Sequence, residues 1–167
     1  MQIALGYGRG SLSLNYDEAR YRVLERAEPE ERPWLSDVEI GEAIDAPIES
    51  PLLEEIMEAG ATALIVVSDA TRMSASAQVT NLLVRRLIEL GLKPRDIRII
   101  FATGLHRPVT TEEKRELLTP FIVQRIQTLD HDATARSCLA ELGRTERGTP
   151  VELNRALVEH THVILTG

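Results

Sequence analysis

The feature that most constrains the fold is an unbroken apolar run at residues 64–67 (LIVV), followed at once by the polar residues 68–72 (SDATR). Apolar residues without alternation predict a strand buried on both faces, as in a covered parallel sheet. The acid, the hydroxyls and the arginine then fall where that strand ends. Because ligands of open α/β sheets bind outside the carboxyl ends of the strands, this stretch predicts a fold class and the place of a site.

A second unit repeats this design. Residues 97–102 (IRIIFA) predict another buried strand, and residues 103–108 (TGLHRP) supply its polar end. We therefore predict a three-layer, Rossmann-like α/β domain with a mainly parallel sheet. The strands ending at Ser68 and Ala102 should be neighbours or flank one crevice, with Arg72 and His106 on the same side.

The N-terminal residues 3–15 predict a β-hairpin, because glycines surround Tyr7 and residues 11–14 (SLSL) alternate cleanly. The glycine spacing resembles a phosphate-binding fingerprint, but a strand follows it where that fingerprint requires a helix. The charge-rich residues 16–35 predict a solvated connection with a helical turn or two, without a function of their own.

Caps and periodicity predict the remaining elements. These are a short helix capped by Ser36 and Glu39, a helix from Leu52 to Ala59 capped by Ser50 and Pro51, a helix from the 73–76 turn to about Leu90, a helix capped by Thr110 and Glu113, a strand from Ile122 to Leu129, a short helix capped by Asn154, and a third buried strand at residues 162–167.

Composition excludes several classes of protein. The 167 residues suit one domain, and the formal net charge of -7 argues against a nucleic-acid partner, which requires a basic face. A single cysteine, Cys138, permits no internal disulfide and fits a reducing compartment. With no long apolar run and no signal-peptide pattern, we expect a cytoplasmic protein that does not contact a membrane.

Asp69, Thr71 and Arg72 form the first candidate group. Arg72 offers a planar, permanently charged donor suited to phosphate or carboxylate. Asp69 could accept from ribose hydroxyls or orient Arg72, and Thr71 could help to hold an anion beside a helix. The alternative is an Asp–Arg pair that merely closes a loop.

His106 and Arg107 form the second candidate group. A histidine titrates near neutral pH and suits general acid–base catalysis, while Gly104 would let the backbone approach a ligand closely. The alternative is a loop histidine with only local hydrogen bonds.

The other titratable candidates favour structural interpretations. His131 between two aspartates is typical of a polar turn, and His160 with His162 would share one face of an extended entrance to a strand without a third ligand. Cys138 is expected to be a buried small residue. We therefore predict no metal site within this chain.

Taken together and in order, these motifs resemble the N-terminal half of the nickel-pincer lactate racemase family. The resemblance is carried by residues 67–72 (VSDATR) and 102–108 (ATGLHRP), with residues 110–113 (TTEE) behind them. It is supported by Tyr7 and Gly8, by the segments 47–52 and 142–151, and by Asn154 with Arg155. It covers nearly the whole chain.

The resemblance implies that Asp69 and Arg72 help to form the pocket for substrate and for a nickel-pincer mononucleotide. We predict that Thr71 also contacts this cofactor and that Arg107 binds substrate. His106 would be one of two histidines that handle the hydroxyl proton of a 2-hydroxy acid. The 2-hydrogen would leave as hydride to the pincer and return to either face, which racemises the substrate.

Two departures limit what this chain can do alone. Met73 stands where the family often has proline, and the family's second histidine, cofactor-bound lysine and nickel-binding histidine are not among these residues. We therefore expect residues 1–167 to be a single N-terminal domain, a fragment that partners a C-terminal domain and neither racemises substrate nor binds nickel tightly by itself. Two alternatives are a non-catalytic nucleotide- or anion-binding α/β domain and a purely structural module.

Overall fold

The computed structural model describes residues 1–24, 33–72 and 74–167. The predicted charged connection at residues 16–35 therefore lies partly outside the described residues, and Met73 lies wholly outside them. The chain divides into two compact units, Met1–Trp34 and Leu35–Gly167, and each is described by itself.

The first unit contains the predicted hairpin. Strand β1 (Gln2–Tyr7) pairs antiparallel with β2 (Gly10–Asn15), placing Leu5 opposite Leu12. Gly8 in the connecting turn has a φ of 57°, a left-handed conformation that glycine adopts without a steric penalty. The hairpin is therefore confirmed.

The described residues of the second unit form six further strands and six α-helices, here given in two lists. The strands are β3 (Ala63–Ser68), β4 (Ile97–Ala102), β5 (Gln127–Asp130), β6 (Leu139–Arg144), β7 (Pro150–Asn154) and β8 (His162–Leu165). The helices are α1 (Asp37–Asp45), α2 (Leu53–Ile56), α3 (Ser76–Glu89), α4 (Thr111–Leu117), α5 (Pro120–Arg125) and α6 (Ala156–Glu159).

Four strands form a parallel sheet in the order β5-β4-β3-β8, while β6 and β7 form a separate antiparallel hairpin. Strands β3 and β4 are the central pair, and Ser68 lies opposite Ala102 in their register. The predicted α/β class, parallel sheet and adjacent strands are thus confirmed. The prediction of a third fully buried strand is wrong, because β8 lies at the sheet edge, where β3 is its one partner among the described strands, and leaves Val163 and Leu165 exposed.

Alternate side chains of the central strands enter two separate cores. Ile65, Val67 and Phe101 are fully buried against the helical layer formed mainly by α3, α4 and α5. Leu64 and Ile100 point to the opposite face, where Ala156 of α6 covers them in a smaller cluster. Burial on both faces explains why the strand at residues 64–67 shows no polar alternation.

The helix caps show where local sequence determined the fold. Ser36 Oγ accepts from the Glu39 backbone N–H at 3.3 Å, and Glu39 Oε2 accepts from the Ser36 N–H at 2.8 Å. Thr110 and Glu113 form the same reciprocal pair at the start of α4. Both predicted capping boxes are therefore present.

Two predicted elements are corrected. Helix α2 runs only from Leu53 to Ile56 and not from Leu52 to Ala59. The Glu55 carboxylate accepts from the Leu52 N–H at 3.0 Å at its start, and the extended backbone of Met57 ends it. The strand predicted from Ile122 is wrong over its first part, since Pro120 starts α5 and buries Ile122 against the helical core. Among the described residues, no helix is long and apolar enough to cross a lipid bilayer.

Candidate active site

Two tight turns follow the carboxyl ends of β3 and β4. The Arg72 backbone N–H donates to the Asp69 carbonyl at 3.2 Å, and the His106 N–H donates to the Thr103 carbonyl at 2.9 Å. Gly104 makes the second turn possible, with a φ of 59°. Because Ser68 and Ala102 are paired in register, the turns lie beside each other and bring their side chains together.

Asp69 and His106 form the closest contact between these turns. His106 Nδ1 lies 2.5 Å from Asp69 Oδ2, and the side chains are 58% and 7% exposed respectively. Thr71 holds the other carboxylate oxygen, donating to Asp69 Oδ1 from its hydroxyl at 2.6 Å and from its backbone N–H at 3.2 Å. The pKa of Asp69 is lowered, chiefly by the Thr71 hydroxyl and next by His106.

This arrangement fixes the chemistry available to His106. An ionised Asp69 is an acceptor only, so the proton of a neutral imidazole lies on Nδ1 and the lone pair lies on Nε2. The ring is more than half exposed, while its partner is buried. The neutral ring therefore offers the Nε2 lone pair of a largely exposed side chain as a proton acceptor.

Arg72 lies beside this pair. Its side chain lines a pocket of about 220 Å³ together with Ser68, Asp69, Thr103 and His106; we call this the Arg72 pocket. Within the described part of the chain, its guanidinium makes no ion pair. The alternative, an Asp69–Arg72 pair that merely closes the loop, is not present among the described residues: Thr71 and His106 contact the two Asp69 carboxylate oxygens instead.

Arg107 lies on the other side of the His106–Asp69 pair and is already paired. Its two Nη atoms donate to Glu113 at 2.8 and 2.6 Å, a bidentate contact that raises the pKa of Arg107. The same contact, followed by the Thr110 N–H, lowers the pKa of Glu113 to about 2. Arg107, Glu113, Thr71 and His106 line a second pocket of about 270 Å³.

The five predicted site residues thus surround one pair of strand ends. Two residues that hold them in place, Glu113 and Asp130, were not predicted to belong to the site. Glu113 was recognised only as a helix cap. Asp130 on β5 anchors the end of the His106 loop, accepting from the Val109 N–H at 3.0 Å and from Lys114 Nζ at 2.5 Å. Asp130 immediately precedes His131, in the stretch that the sequence indicates to be only a polar turn. Its role at the His106 loop depends on the parallel pairing of β4 with β5, which the sequence alone does not reveal.

The remaining titratable residues lie elsewhere. His131 follows β5 in a turn where Asp132 accepts from Thr134, as predicted, and His131 Nδ1 lies 3.1 Å from Asn154 Nδ2. His160 Nδ1 donates to the Ala156 carbonyl at 2.7 Å. The prediction that Cys138 is buried is wrong, because a surface 3₁₀ turn exposes it. Within residues 1–24, 33–72 and 74–167, no three His, Cys, Asp or Glu side chains are grouped to hold a metal ion.

Residues 7–167 match the family described as the lactate racemase N-terminal domain. The chain is 29% identical over 99% of its length to a lactate racemase of Lactiplantibacillus plantarum, and 25% identical over 99% to one of Thermoanaerobacterium thermosaccharolyticum. It spans 39% of the length of each of these curated relatives.

Solved structures share the fold. The lactate racemase apoprotein of Thermoanaerobacterium thermosaccharolyticum superposes with a TM-score of 0.74 at 23% identity, covering 99% of this chain and 38% of that one. A structural-genomics protein from Thermotoga maritima superposes with a TM-score of 0.63 at 22% identity, covering 78% of this chain and 33% of that one.

Proposed function

This chain belongs to the lactate racemase N-terminal domain family, and from that membership we propose that it forms the cofactor- and substrate-contacting part of a 2-hydroxy acid racemase or epimerase. The observation that carries the proposal is the His106–Asp69 pair at the ends of β3 and β4, with Arg72 alongside. A buried carboxylate beside an exposed imidazole is an arrangement suited to proton transfer.

In this proposal, His106 Nε2 removes the proton from the substrate 2-hydroxyl and later returns it. Asp69 holds the ring in the tautomer that leaves Nε2 free and stabilises the imidazolium formed by proton transfer. Thr71 keeps Asp69 ionised and fixed in place. The residues thus divide into one that moves the proton and two that position it.

The cofactor implied by the resemblance, a nickel-pincer mononucleotide, would supply a hydride acceptor for the substrate 2-hydrogen when bound. The residues present fit its phosphate, because Arg72 is a permanent cation in a pocket at the strand ends. They do not supply a set of nickel ligands within the described part of the chain. We therefore assign Asp69, Thr71 and Arg72 to the nucleotide side of the site and none of them to the metal.

Arg107 is proposed to bind the substrate carboxylate. Since Glu113 engages both of its Nη atoms, the substrate would have to replace that partner. The exchange would keep the planar, bidentate geometry that an arginine prefers.

The experiment is to compare a full-length protein containing this chain with its His106→Ala variant. We expect cofactor absorbance to be retained while racemisation, followed by chiral chromatography, falls by about 10²- to 10⁴-fold, the usual contribution of a general base. Near-normal turnover in His106→Ala would contradict the assignment. Binding of the nucleotide with no racemisation of any 2-hydroxy acid by the unmodified protein would favour the non-catalytic alternative.

A further inference from the structure

A third pocket lies on the opposite face of the sheet from the main helical core. It has a volume of about 270 Å³, with Val66, Ile100 and Leu157 as apolar walls and His131, Glu152 and Asn154 as its polar groups. We call it the His131 pocket. The proposed racemase chemistry uses none of these residues, although Ala102 and Gly104 line both this pocket and the Arg72 pocket.

The hydrogen bonds around His131 fix which of its nitrogens carries the proton. The Ala156 N–H donates to Asn154 Oδ1 at 3.0 Å, so this oxygen is the accepting end of the Asn154 amide. The other end, Nδ2, is a donor and lies 3.1 Å from His131 Nδ1. Nδ1 must therefore accept, and the neutral ring carries its proton on Nε2.

The backbone of His131 is held as firmly as its ring. Its N–H donates to the Phe101 carbonyl at 3.1 Å, and its own carbonyl accepts from Thr103 Oγ1 at 2.5 Å. Thr103 is buried. The imidazole is thus anchored to the end of β4, and in the described chain its Nε2–H has no intramolecular acceptor.

Glu152 supplies the opposite hydrogen-bonding character in the same pocket. It makes only a long contact of 3.7 Å with the exposed Arg136, so its carboxylate is able to accept from a ligand. The residues that line the pocket therefore include one N–H donor, one carboxylate and several apolar side chains. Its volume lies just below the range of about 300–1,000 Å³ for drug-sized ligands, which suits a single ring system.

We propose that the His131 pocket binds a flat, uncharged aromatic ring whose edge carries a hydrogen-bond acceptor next to a donor, such as an aromatic carboxamide or a nucleobase. The acceptor would take the His131 Nε2–H, the donor would face Glu152, and the ring would contact Ile100 and Leu157. An anionic edge is disfavoured because it would face the Glu152 carboxylate.

Benzamide and benzoate test this proposal on the 167-residue chain, because they have the same ring and shape. We expect benzamide to shift amide resonances of residues around His131 in ¹⁵N-resolved NMR titrations, and benzoate to bind at least about fivefold more weakly, the equivalent of one hydrogen bond. A parallel titration with adenine tests whether the pocket binds a nucleobase or only a simple aromatic carboxamide. Equal affinity for benzamide and benzoate would overturn the proposal.

Single substitutions test which side chains bind benzamide. His131→Ala should weaken the binding of benzamide about fivefold. Glu152→Gln should narrow or reverse the preference for benzamide over benzoate, because the new side-chain amide can donate to the benzoate carboxylate. His160→Ala is the matched control, since that ring contacts the Ala156 carbonyl instead. If His131→Ala fails to fold, Glu152→Gln still tests the proposal. An unchanged preference of Glu152→Gln for benzamide over benzoate would refute it. His106→Ala should bind benzamide normally, which separates this test from that of the racemase.

Discussion

His106 Nδ1 lies 2.5 Å from Asp69 Oδ2, although the two residues are 37 positions apart in the chain. Their meeting is a direct result of the parallel register that places Ser68 opposite Ala102, since each residue lies in the turn that follows its strand. One partner is buried and the other is largely exposed. The sheet thus supplies a fixed carboxylate to an imidazole that remains accessible to a ligand.

Asp69→Asn is predicted to damage turnover more than binding. The amide keeps the size of the side chain but loses the charge, and its nitrogen favours the tautomer with the proton on Nε2. In a full-length protein containing this chain, we expect kcat to fall by about 10²- to 10⁴-fold while KM changes little. Thr71→Ser, which keeps the hydroxyl donor to Asp69, is the control and should stay near normal. Full kcat in Asp69→Asn would contradict the positioning role.

Glu113 is predicted to make the chain sensitive to acid. Its pKa of about 2 in the folded chain lies below the ordinary value of 4.5, so protonation favours the unfolded state. The stabilisation is complete above about pH 4.5 and is lost as the pH falls towards 2. Urea unfolding midpoints should therefore decline more steeply over this window for the unmodified chain than for Glu113→Gln.

The neighbouring Glu112→Gln provides a matched control. Glu112 lies one position along α4 and makes no hydrogen bond or ion pair within the described chain. Its replacement should leave the pH dependence of the urea midpoint unchanged. A Glu113→Gln profile that coincides with the unmodified one would mean that the contact with Arg107 contributes nothing to folding.

Local patterns predicted those elements whose causes lie within a few residues. The apolar run at residues 64–67 predicted β3 because two covered faces leave no position for a polar side chain. The boxes at Ser36 and Thr110 predicted the starts of α1 and α4, because both partners of each cap lie three residues apart. At residues 122–125 the apolar content alone was ambiguous, and Pro120 was the signal that favoured a helix.

The site could be predicted only as a location and a set of residues. The ends of β3 and β4 identified Asp69, Arg72 and His106, but not the pairing of Asp69 with His106, which depends on strand register. The exposure of a side chain could not be predicted from its sequence neighbours either. Cys138 has apolar neighbours in sequence and is nevertheless exposed, because the 3₁₀ turn before β6 lies at the surface.

Lys114 is predicted to hold the loop that carries His106. Its ammonium contacts Asp130 at 2.5 Å, both side chains are about four-fifths buried, and Asp130 also accepts from the Val109 N–H. Lys114→Met leaves the carboxylate without its cation and should lower the free energy of unfolding by about 1–3 kcal/mol. Faster hydrogen exchange at the Val109 amide would localise the effect, while Arg115→Met on the exposed side of α4 should change neither quantity.

Arg72→Lys is predicted to weaken phosphate binding while leaving the fold intact. Lysine keeps the positive charge, but it loses the planar fork that makes two charge-assisted hydrogen bonds to one phosphate. Titration of the 167-residue chain with inorganic phosphate should therefore give about tenfold weaker binding at the Arg72 pocket, the equivalent of about 1.4 kcal/mol. Arg115→Lys is the matched control: this exposed arginine of α4 does not line the Arg72 pocket, so phosphate affinity should barely change. In the full-length protein, Arg72→Lys should lower cofactor occupancy measured by absorbance. Unchanged phosphate affinity and full occupancy in Arg72→Lys would remove this residue from the nucleotide site.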